Sequence, residues 1–60
     1  MRHHKELDFL IRNAIKISNG TMPITILAYD EEELKWIEDH LKGKKGNKHV
    51  SVRLELAQTG

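Results

Sequence analysis

Residues 24–41 read ITILAYDEEELKWIEDHL. The opening run, Ile24 to Tyr29, is rich in β-branched and aromatic residues, the composition of a strand. Pro23 stands just before it; a residue without an N–H suits a strand entry and cannot continue a helix. Ile24, Ile26 and Ala28 alternate onto one side, while Leu27 and Tyr29 fall on the other. A strand that is apolar on both sides is buried on both, or meets a partner with one of them. Asp30 then takes the place of a helix N-cap, and Glu33, at the third helical position, completes the pattern of a capping box. Glu31, Glu32 and Glu33 lie where the helix dipole favours carboxylates. Leu34, Ile37 and Leu41 form a core stripe, Trp36 and His40 pair four residues apart, and Lys42 with Gly43 ends the helix.

Outward from this unit, the flanking segments supply its cover. Leu7, Leu10, Ile11, Ala14 and Ile17 recur at spacings of three and four, with Phe9 and Ile15 beside them, which is the period of an amphipathic helix. Asn19-Gly20 supplies its stop. Lys5, Arg12 and Lys16 line the opposite face. Beyond Gly43 a loop carries Gly46, and then Val50, Val52, Leu54 and Leu56 alternate with Ser51, Arg53 and Glu55, a half-exposed strand. The expected elements are a helix over 5–18, a strand over 24–29, a helix over 31–42 and a strand over 49–57.

Helix, strand, helix, strand is a small α/β domain of two layers. A strand–helix–strand unit makes its strands parallel through a right-handed crossover, which places both helices on one face. Two strands leave two open edges and are marginal by themselves. Completion of the sheet by a homodimer is therefore expected, through an edge or the open face, with Leu27 and Tyr29 at the contact.

Sixty residues make one domain, and a chain this short buries only roughly 60% of its unfolded surface. The absence of cysteine excludes a disulfide framework and thiolate zinc sites. No apolar run approaches the roughly 20 residues of a membrane span, and no signal-peptide core precedes the first helix, so a cytoplasmic, non-membrane protein is expected. The net charge of +1 conceals a basic, acidic, basic order along the chain, which bears on partners rather than fold.

The sequence KGKKGNKH, Lys42 to His49, is the strongest chemical signal. Lys42, Lys44, Lys45, Lys48 and His49 lie on a glycine-bearing loop, where ammonium groups can neutralise phosphates, and Arg12 and Lys16 would extend the patch. Against this, lysines complement a helix C-terminus, exposed loops are commonly lysine-rich, and no stacking aromatic is interleaved. Asp30 and Glu31 carry the oxygens of a divalent-cation site, but capping and the dipole select the same residues. His3, His4, His40 and His49 show no metal-ligand spacing and read as surface histidines, the first two at a mobile terminus. Asn19-Gly20-Thr21 matches a glycosylation sequon, which means nothing without secretion. No hydroxyl sits in a nucleophile elbow, so neither an enzyme nor a cofactor is expected.

Three alternatives follow. One is a non-enzymatic interaction or regulatory protein acting as a homodimer through its sheet edge or open face, or on another protein. A second is a nucleic-acid-binding protein using the lysine loop and the basic face of the first helix. The third is an engineered fold without biochemical activity, suggested by its regular caps and last strand.

Overall fold

The computed structural model describes residues 2–55. It contains α1 (His4–Ser18), β1 (Ile24–Ala28), α2 (Glu31–Lys42) and β2 (Val50–Leu54) in that order. The fold is a small α/β domain in which β1 and β2 form a parallel pair joined by α2. The expected last strand began at His49 and ran to Ala57; within the described residues it covers Val50–Leu54, and Leu56 and Ala57 lie outside them.

Register decides which side chains the helices cover. Ile24 pairs with Val50, Ile26 with Val52 and Ala28 with Leu54. Side chains alternate along a strand, so these six face the helices. Leu7, Ile11 and Ala14 of α1, Ile26 and Ala28 of β1, Ile37 and Leu41 of α2, and Val50 of β2 form the core. Thr25, Leu27, Ser51 and Arg53 share the other face and are exposed. Of the two outcomes open to an apolar-sided β1, the helices thus realise the one that leaves Leu27 uncovered, at 44% exposure, and Tyr29 at 61%. Tyr29 lies just past the strand's end rather than inside it.

The helix ends follow local chemistry with some substitutions of role. His3 caps α1, its Nδ1 accepting from the Lys5 N–H at 3.3 Å. Asn19, not Gly20, is the first left-handed residue after α1 (φ 50°), and its N–H bonds the Ile15 carbonyl. Gly43 closes α2 at φ −90° and so uses none of glycine's left-handed freedom. Asp30 accepts from the Glu33 N–H at 2.8 Å as expected of an N-cap. The return bond of the capping box differs, because Glu33 Oε1 accepts from the Tyr29 N–H at 2.9 Å.

Candidate functional site: the free edge of β1

In a parallel ladder the N–H and C=O of one residue point to the same neighbour, and those of the next point away. Ile24 N–H donates to the His49 carbonyl at 2.9 Å, and the Ala28 carbonyl accepts from Glu55 N–H at 2.8 Å. Even-numbered residues of β1 therefore face β2. The carbonyl of Pro23, both backbone groups of Thr25, and those of Leu27 face the opposite, free edge.

That edge borders a groove of about 370 Å³ between β1 and α1, lined by Leu10, Ala14 and Ile17 from the helix and by Thr25, Leu27 and Tyr29 from the strand side. The lining helix residues lie on a flank of α1 adjacent to its core stripe, so the helix overhangs the edge. This overhang has a simple origin. Packed helices lie about 8–10 Å apart, whereas paired strands are about 4.8 Å apart. Two helices over two strands must extend beyond the sheet, and α1 packs mainly on β1 while α2 packs mainly on β2. The corresponding groove beside β2 has charged Glu38 and Lys42 on its walls, and there the Val50 N–H is already bonded to the Asn47 carbonyl.

Arg2 closes one end of the β1 groove. Its Nη2 donates to the Leu27 carbonyl at 2.8 Å and to Glu33 Oε1 at 2.7 Å. Its guanidinium lies 4.2 Å from the centre of the Tyr29 ring, and its backbone N–H reaches Glu33 Oε2 at 2.9 Å. Glu33 is fully buried. The hydrogen bonds from the Arg2 side chain, reinforced by the Arg2 and Tyr29 N–H groups, hold its carboxyl down from 4.5 to about 2 against the opposing effect of burial. The same contact raises the Arg2 guanidinium. Tyr29 N–H and Leu27 C=O are thereby satisfied, so the ladder of open groups stops there. What remains are Pro23 C=O, Thr25 N–H, Thr25 C=O and Leu27 N–H; among the described residues no hydrogen bond ends on them.

The basic residues lie elsewhere. Gly46 packs towards Ile15, an added Cβ there standing 3.4 Å from Ile15 Cγ2, so the lysine loop runs beside α1. Asp8 joins the two segments, binding Arg12 Nε at 3.0 Å and Lys44 Nζ at 3.5 Å. Lys42, Lys45, Lys48, His49 and Lys16 are exposed. Arg12 and Lys44 are thus brought together around a carboxylate that offsets them.

The first histidine pair is not a loose terminus. His4 stacks on Trp36 with ring centres 5.0 Å apart, and His40 stacks on Trp36 at 3.6 Å. His40 Nδ1 also lies 2.8 Å from the Trp36 carbonyl. Arg2 and His4 thus tie the chain start to α2. The Trp36–His40 spacing is visible in sequence; the arrival of His4 and Arg2 depends on how α1 enters the fold. Among the described residues no cluster of histidines and carboxylates is arranged to hold a metal, and no helix is long and apolar enough to cross a membrane. No family model, no curated protein and no solved structure matches the chain.

Proposed function

We propose that this protein is a non-enzymatic interaction module that engages another polypeptide through the groove between α1 and the free edge of β1. One observation carries this: the exposed apolar side chains Ile17, Leu27 and Tyr29 border the same stretch of backbone that has open hydrogen-bonding groups. An exposed edge with apolar walls is a template for association, and sheet edges are a recurring mode of peptide recognition. The open face is the weaker surface. Two five-residue strands present an area of roughly 16 by 10 Å, well below the roughly 800 Å² per partner of a stable interface.

Selection of random peptides displayed on phage, with counter-selection on an Ile17→Glu, Leu27→Glu variant that remains folded, tests this assignment. Clones that bind the protein and not the variant are expected. If every clone binds both equally, the groove is not the working surface.

The lysine loop supports a second assignment, nucleic-acid binding, because Gly46 packs towards Ile15 and Lys44 and Arg12 share Asp8, so the loop lies beside α1. Phosphate-dominated binding falls steeply with salt. Retention of an oligonucleotide at low salt by the protein, and its loss in the Lys44→Glu, Lys45→Glu, Lys48→Glu variant, would favour it over the groove. The absence of any shift at low salt would end it.

A further inference from the structure

We infer that the occupant of the β1 groove is a single extended strand carrying no helix of its own, without carboxylates where it lies in the groove, and bonded to Pro23, Thr25 and Leu27. This rests on the interaction reading above and specifies the partner.

The open backbone groups set the chemistry. Two carbonyls (Pro23, Thr25) and two N–H groups (Thr25, Leu27) face the groove in alternate positions. A polypeptide strand offers the complementary alternation of donors and acceptors with the same repeat. Pro23 bounds the ladder at one end because it has no N–H. Arg2 on the Leu27 carbonyl and Glu33 on the Tyr29 N–H bound it at the other. About five residues of a partner are therefore paired.

Charge decides the partner's side chains. Arg2 and Glu55 are the two charged residues lining the groove, and Arg2 is already neutralised by Glu33. A carboxylate entering beside Glu55 would be repelled, and Arg2, held by Glu33, offers it no compensation. Alternate residues of the bound strand point under α1 towards Leu10, Ala14 and Ile17, which favours apolar side chains there.

Steric demand separates a bare strand from a second copy of this chain. Antiparallel pairing of β1 with its symmetry mate would set the two strands about 4.8 Å apart, with the twofold axis roughly 2.4 Å outside each. Two helices about 8–10 Å apart, centred over two strands, would carry the α1 axis near that same line. Both copies of α1 would then compete for one position above the sheet. A strand with no helix meets no such conflict.

The test uses the full chain and a synthetic seven-residue peptide of alternating valine and threonine, acetylated and amidated. It is N-methylated at every second residue, so that one edge only can pair; a control carries N-methyl groups on both edges. Backbone amide shifts and hydrogen exchange are read by NMR. The expected result is that Thr25 and Leu27 amides shift most and exchange at least about tenfold more slowly at saturation, with no such change from the control. Equal effects from the control overturn the strand pairing. Shifts at Leu10 and Ile17 without protection of Thr25 and Leu27 also overturn it, yet leave the groove as an interaction surface. No response at the groove from the peptide overturns the inference, and the phage selection then shows separately whether the interaction reading falls too. Protection of Thr25 and Leu27 that rises with protein concentration without peptide, with a dimer mass in sedimentation equilibrium, assigns the edge to a second copy instead.

Discussion

Arg2 Nη2 and Glu33 Oε1 lie 2.7 Å apart although 31 positions separate them in the chain. The pair joins the start of α1 to the start of α2 across the end of β1, and Glu33 is wholly buried. Breaking a buried ion pair from one side leaves the other charge without compensation, at a cost of about 3–5 kcal/mol. Arg2→Ala is expected to lower the unfolding free energy from urea titration by an amount in that range, followed by the emission of the single tryptophan, Trp36. Glu33→Gln, which keeps a buried acceptor for Arg2 and Tyr29, should cost less. Equal costs for the two would show that loss of the ion-pair attraction itself, rather than the stranded buried carboxylate, sets the cost.

The same pair gives stability a defined acid dependence. The Glu33 carboxyl falls from 4.5 to about 2 on folding, chiefly through the Arg2 side-chain hydrogen bonds. The unfolded chain then binds more protons than the folded one between those values, so stability rises with pH there. Its contribution is fully present above about pH 4.5 and is lost as pH falls towards 2. The loss amounts to about 3 kcal/mol at the low end. Urea midpoints measured from pH 6 down to about 2 should show this slope in the protein, and a shallower one in Arg2→Ala.

Ser18 Oγ is fully buried in the last turn of α1 and has no hydrogen-bond partner among the described residues. A buried hydroxyl left unmet costs about 1–3 kcal/mol. Ser18→Ala removes that cost and adds helix propensity. The variant should be more stable by about 1 kcal/mol, read as a higher thermal midpoint. A lower midpoint would mean that the hydroxyl is hydrogen-bonded in solution.

Trp36 is held between two imidazoles, His4 from α1 and His40 from its own helix. Stacked aromatic pairs contribute about 0.5–1.5 kcal/mol beyond their area. His4→Ala and His40→Ala should each destabilise by about that much. A double-mutant cycle pairing His4→Ala with Trp36→Leu should return a coupling energy, whereas strict additivity would show that the stack carries no energy.

The residues that belong to one element at a time were legible in the chain. Periods of three and four in Leu7–Ile17, alternation in Val50–Leu54 and the cap at Asp30 named the elements and their order, because each depends on neighbours a few positions away. Leu27 and Tyr29 were marked as uncovered for the same reason: one helical layer covers one face of a strand. Glu33 was legible as a capping residue but not as the buried partner of Arg2, and His4 was not legible as a ring on Trp36.

Sequence alone determined the helix–strand–helix–strand order, the parallel crossover and the uncovered side of β1, since local periodicity and chain connectivity suffice for them. Tertiary structure decided which edge is open and where it ends. The overhang of α1 follows from helices being wider than strands, and the closure of the groove follows from Arg2 reaching Leu27 and Glu33 across the fold. Neither can be read from spacing, because both arise from contacts between residues whose separation along the chain carries no periodic signal.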